Sequence, residues 1–110
     1  MSDSLHVTDE TLQDQLKKRN RPLLIAFWAP WSNACRAMEP VLKEIAVDYA
    51  KRLEIGLMNV DENAHTPAEW GIKDIPHIAI IDTQGTRLAD ITGPQSKSKI
   101  VEIIEKNLTI

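Results

Sequence analysis

Phe27-Trp28-Ala29-Pro30-Trp31-Ser32-Asn33-Ala34-Cys35-Arg36 is the stretch on which the reading of this chain turns. Upstream of it, Leu23 to Trp28 is a continuous apolar run bounded by turn signals, the pattern of a strand buried on both faces. Downstream, apolar residues fall at Ala34, Ala37, Met38, Val41, Leu42, Ile45, Ala46 and Tyr49. Those three- and four-residue steps predict an amphipathic helix over 33–51. The stretch is therefore a strand-to-helix turn flanked by two tryptophans. Cys35, the only cysteine of the chain, lies just inside the helix.

The chain has 110 residues, 43% of them apolar and 26% charged, with a net charge of −3. That length suits one domain over 1–110, large enough to bury a core without metals or disulfides. The charge gives no general attraction to nucleic acid or to an anionic membrane. One cysteine cannot form an intramolecular disulfide, and no Cys/His cluster suggests a zinc site. The polar, acidic start Met1-Ser2-Asp3-Ser4 lacks the pattern of a signal peptide, and no apolar run has membrane-spanning length. A cytoplasmic protein without cofactor or metal is expected.

Outward from the turn, Leu5-His6-Val7 reads as a short edge strand. A helix is expected over 9–19, with Thr8 or Asp9 as its cap and Lys17-Lys18-Arg19 as a solvated end. Pro40 lies inside the helix that carries Cys35 and predicts a kink, because it cannot donate to the Arg36 carbonyl. Leu53 to Val60 predicts the next strand. Thr66 and Pro67 predict the cap and first turn of a short helix that Gly71 closes. His77 to Asp82 and Arg87 to Thr92 form a hairpin around Thr83-Gln84-Gly85-Thr86. Ser96 caps a last helix bearing Ile100, Val101, Ile103, Ile104 and Leu108. The order β-α-β-α-β-α-β-β-α predicts an α/β fold, a mixed sheet covered by helices on both faces, with an antiparallel terminal hairpin.

At this point the sequence resembles the thioredoxin family. The matching residues are Phe27-Trp28-Ala29-x-Trp31 with Cys35 beyond, Pro40, Asn59-Val60-Asp61, Gly71-Ile72, Ile75-Pro76 and Gly93, spread over nearly the whole chain. The resemblance implies the thioredoxin fold, a place in thiol–disulfide homeostasis, and protein-disulfide reduction as family activity. It also implies a cis-proline at Pro76, beside which a partner pairs as an extended segment. The corresponding contact surface is Trp31, Asn33, Ala34, Ile75, Pro76 and Gly93. Implied partners are protein substrates and, for turnover, thioredoxin reductase or glutathione.

Family members carry Cys-x-x-Cys at the turn. The first cysteine attacks a substrate disulfide as a thiolate favoured by the helix N-terminus, and the second resolves the mixed disulfide. Here Ser32 occupies the nucleophile position and Cys35 the resolving one. Serine forms neither thiolate nor disulfide, so full dithiol turnover within this chain is not expected. The buried aspartate of typical members corresponds to Ala26 and a lysine near it to Leu57, while Asn33-Ala34 replaces Gly-Pro. A monothiol or redox-weak protein is one reading. A redox-inactive binding or scaffold module is another, and a Cys-to-Ser variant of a dithiol protein is a third. Cys35 is either an inert buried thiol or one open to mixed disulfides, and Ser32 suits an N-cap. Trp28 is expected to support the core and Trp31 to be partly exposed. His77 stands where threonine is usual and is read as a satisfied strand residue.

Overall fold

In a computed structural model that describes residues 4–18 and 20–108, five strands and four helices follow the expected order. They are β1 (Ser4–His6), α1 (Leu12–Lys18), β2 (Leu23–Trp28), α2 (Asn33–Asp48), β3 (Glu54–Asn59), α3 (His65–Trp70), β4 (His77–Ile81), β5 (Arg87–Thr92) and α4 (Lys97–Asn107). The sheet order is β1-β3-β2-β4-β5. β2 pairs parallel with β3 and antiparallel with β4, and the β4–β5 hairpin closes one edge.

Period-two alternation sorts the side chains of the central strands onto two faces. Leu24 and Ala26 of β2 and Ile78 and Ile80 of β4 face one way. There they pack with Met38, Leu42, Ile45 and Ala46 of α2 and with Ile100 and Ile104 of α4. Leu23, Ile25 and Phe27 of β2 and Ala79 and Ile81 of β4 face the other, with Leu12 of α1 and Trp70 of α3. This is the thioredoxin fold: a mixed sheet with two helices on each face. Fully burying one of these Leu, Ile or Phe side chains contributes about 1.5–3 kcal/mol. Both ends of α4 are tied to α2. Lys97 Nζ lies 3.1 Å from Glu44 and 2.9 Å from Asp48, and Tyr49 donates to Glu105 at 2.5 Å.

Several boundaries differ from the sequence reading. β1 runs from Ser4 to His6, and the buried Val7 follows it. α1 begins at Leu12 rather than Asp9, because Thr8 to Thr11 form a turn in which the Thr11 N–H donates to the Thr8 hydroxyl at 3.1 Å. Arg19 lies outside the described residues. α2 ends at Asp48, and its Ala37 is exposed instead of joining the apolar stripe. Thr66 does not cap α3. The N-cap is Ala64, which makes no side-chain cap bond, and the Asp9 carboxylate takes over. Its oxygens accept from the N–H groups of His65 (3.1 Å) and Thr66 (2.8 Å). The Asp9 carboxylate thus serves α3 rather than the helix that follows it in sequence.

Candidate functional site

Strand register brings one end of the sheet together as a site. Trp28 ends β2 and Asn59 ends β3 opposite it; His77 begins β4 opposite Phe27, and Thr92 ends β5 opposite His77. The β2–α2 turn, the Ile75–Pro76 segment and Gly93 all emerge there. The Ile75–Pro76 peptide bond is cis, and the Gly93 N–H donates to the Pro76 carbonyl at 2.8 Å. Gly93 has φ +88°, the left-handed region that favours glycine.

At the turn, Ser32 is the N-cap of α2. Its hydroxyl oxygen accepts from the Cys35 N–H at 3.2 Å, and its carbonyl accepts from the Arg36 N–H at 3.1 Å. Serine suits this position because its short side chain reaches back to a helix N–H that has no intrahelical partner. The Ser32 hydroxyl thus serves a backbone donor. A serine nucleophile needs a base on that oxygen, and the group bonded to it here is an amide.

Cys35 is a free thiol, only 6% exposed, one turn before the buried Met38. Ser32 is itself buried, at 9%. Trp31 contrasts with both at 66% exposure. Its indole Nε1 donates to Asp61 Oδ1 at 3.2 Å, which fixes an apolar ring at the surface. Trp28 is half-buried; its Nε1 is enclosed and finds no hydrogen-bond partner among the described residues. Asn33 is exposed and accepts from Arg36 Nη2 at 2.7 Å, while Ala34 is half-buried. Pro76 is buried, with Ile75 and Gly93 half-buried beside it.

A family model for thioredoxin matches residues 3–106. Curated relatives bear the same name, among them three with the following identity and coverage. The thioredoxin of Thiocapsa roseopersicina is 43% identical over 81 residues, 73% of this chain and 89% of the relative. That of Haemophilus influenzae is 34% identical over 98% of this chain and its own whole length. That of Acidithiobacillus ferridurans is 35% identical, again over 98% of this chain and the full relative.

The chain belongs to the thioredoxin family.

The position at which the resemblance implies a buried aspartate is filled by an apolar residue. Ala26 is 2% exposed and is packed among Met38, Leu57 and Ile78. No other acid replaces it from β4. His77 points to the opposite face, since Ala26 pairs with Ile78 and Phe27 with His77.

The sequence reading did not find three contacts that shape this end of the molecule. They are the Trp31–Asp61 bond, the Asp9 cap of α3, and the placement of His77 between Asp90 and Thr92. Only the last had a local signal, since polar residues recur on one side of β5 opposite His77. Among the described residues no three His, Cys, Asp or Glu side chains come together as a metal-holding group, and no helix is long and apolar enough to cross a membrane.

Proposed function

We propose that this chain is a redox-weak, monothiol thioredoxin-family domain of thiol–disulfide homeostasis that works in the cytoplasm. It holds partner proteins as extended segments against Trp31, Asn33, Ala34, Ile75, Pro76 and Gly93. The observation that carries this reading is Ser32 acting as an N-cap at the nucleophile position, bonded to the Cys35 N–H. Family membership supports protein-disulfide chemistry as the family's activity. Docking needs no second cysteine, because extended-segment binding uses backbone pairing and an exposed apolar ring.

Any covalent step falls to Cys35. Its thiolate attacks a disulfide R–S–S–R′, forming Cys35–S–S–R and releasing R′S⁻. A second thiolate, from glutathione or a similar low-molecular-weight thiol, then attacks that mixed disulfide and frees Cys35. No internal thiol can take that second part. The low exposure of Cys35 favours a second reading beside this one, a binding module that never forms the covalent adduct.

Insulin disulfide reduction with thioredoxin reductase and no added thiol tests the mechanism. The chain is expected to show no turnover, and turnover would sink the monothiol reading. Full activity in Ser32→Cys would mean that the rest of the site is that of a dithiol reductase carrying one substitution. Partial or absent gain would attribute the loss to Ala26 and Leu57 as well. Partners retained by Cys35→Ser in a pull-down would favour the binding module.

A further inference from the structure

His77 opens β4 and is 7% exposed. Its Nε2 lies 2.8 Å from Asp90 Oδ1 and its Nδ1 3.1 Å from Thr92 Oγ1. Thr92 is its direct partner across the hairpin, and Asp90 sits one pair further along the same side of β5. Arg87 shares the Asp90 carboxylate with His77, with Nε 3.1 Å from each oxygen and Nη2 2.8 Å from Oδ1, the oxygen that His77 also meets. The Arg87 guanidinium in turn lies 5.1 Å from the centre of the Trp70 ring. Phe27 meets Trp70 and His77 edge-on, with ring centres 5.8 and 6.1 Å apart. One imidazole thus joins β2, β5 and, through Arg87, α3.

A carboxylate only accepts, so Nε2 carries a proton. Nδ1 then accepts from the Thr92 hydroxyl when the ring is neutral and donates to it when the ring is charged. Both bonds survive in either state because a hydroxyl does both. The arrangement is a clamp.

One residue before His77 stands Pro76, and one residue after Thr92 stands Gly93. Their backbones meet through the Gly93 N–H and the Pro76 carbonyl. The ends of paired strands open locally more readily than their centres, and side-chain bonds across the pair oppose that opening. We propose that His77 is the positioning residue of the docking edge: through Asp90 and Thr92 it locks Pro76 and Gly93 against each other so that the edge is preformed for an extended partner. A side chain too short to span to Asp90 would leave this end of the hairpin to its backbone bonds alone. The proposal rests on the docking reading above, but its first measurement does not.

That measurement is amide hydrogen exchange on the whole chain. His77→Phe keeps a ring and removes both hydrogen bonds; His77→Gln places an amide N–H near the Nε2 position. In His77→Phe the Gly93 N–H should exchange about tenfold faster relative to the Ile100 N–H of α4, the size of one lost bond to a charged group. In His77→Gln much of the protection should return. Ile81→Val, at the far end of β4, controls for general destabilisation and should leave that ratio unchanged. Unchanged Gly93 protection in His77→Phe, or a change no larger than in Ile81→Val, would overturn the proposal. The second arm titrates insulin B chain with alkylated cysteines by calorimetry. Binding that weakens about tenfold in His77→Phe and recovers in His77→Gln supports positioning for docking. Binding indifferent to His77→Phe removes that role. If the native chain does not bind the alkylated B chain, the docking reading fails, and Gly93 exchange alone decides whether His77 fixes the edge.

Discussion

Leu57 of β3 stands directly across from Ala26 of β2 in the parallel ladder, and both pack against the α2–α4 side of the sheet. The resemblance to typical thioredoxins places a buried aspartate at the first position and a lysine near it at the second. The two departures are therefore neighbours. A buried carboxylate without its compensating charge is costly, and so is a buried ammonium without the acid. Their joint replacement by apolar residues leaves a well-packed patch where a proton carrier would otherwise sit.

Restoring only the acid should hurt. Ala26→Asp is expected to lower stability by about 3–5 kcal/mol at neutral pH, the usual cost of an uncompensated buried charge. Burial raises the folded-state pKa of such a group above its unfolded value. The loss should therefore be small below about pH 4 and grow as pH rises through the unfolded value near 3.9. Adding Leu57→Lys should recover part of it, with a coupling above roughly 0.5 kcal/mol because the positions touch. Urea melts at acid and neutral pH read both effects. A pH-independent loss, or strict additivity, would show that the two sites do not share one buried environment.

The Ser32 cap makes a separate prediction about the turn. Ser32→Ala should cost about 1 kcal/mol of stability, and Ser32→Gly only a few tenths. The ordering distinguishes a capping role from simple packing, since alanine fills more of the site than glycine does. Equal stability of the alanine variant and the native chain would remove the capping account. It would reopen the question of what the hydroxyl does.

Cys35 should react slowly. The residue is only 6% exposed, so a disulfide reagent is expected to react with it through local opening. An opening that costs about 3 kcal/mol slows labelling about a hundredfold relative to the unfolded chain. Labelling followed with and without urea measures the ratio directly. A native rate close to the unfolded one would make Cys35 a reactive thiol and move the covalent cycle to the centre of the function.

The parts of this fold that could be read from sequence are those set by local periodicity and short-range bonds. The apolar run of β2 announces burial on both faces. Ser32 and Ser96 announce helix starts because each hydroxyl serves an N–H three residues on. Where the deciding partner is remote, local signals mislead. Asp9 reads as a cap for the helix that follows it, yet its carboxylate is drawn across the molecule to His65 and Thr66, at sequence separations of 56 and 57. The partners of His77 lie beyond a hairpin whose register shifts between Ile80 and Ile81, so simple alternation does not give the pairing.

Asp9 also carries a pH signature. Burial alone raises its pKa, but the Thr66 hydroxyl, the N–H groups of Thr66 and His65, and the nearby His65 charge outweigh it and hold the carboxyl below its ordinary value. A depressed folded-state pKa means that the stabilisation is complete above the unfolded value near 3.9 and is lost as pH falls through the folded one. Asp9→Ala should therefore cost about 1–2 kcal/mol at pH 7, in line with loss of a helix cap. The gap between native and variant should narrow as acid protonates the native carboxyl. Asp9→Asn, which keeps one accepting oxygen, should fall between them at pH 7 and lose the pH dependence. Denaturant melts at neutral pH and at about pH 3, below the unfolded-state value, supply the comparison. A gap that stays constant or widens on acidification would mean that the ionised Asp9 does not hold the start of α3.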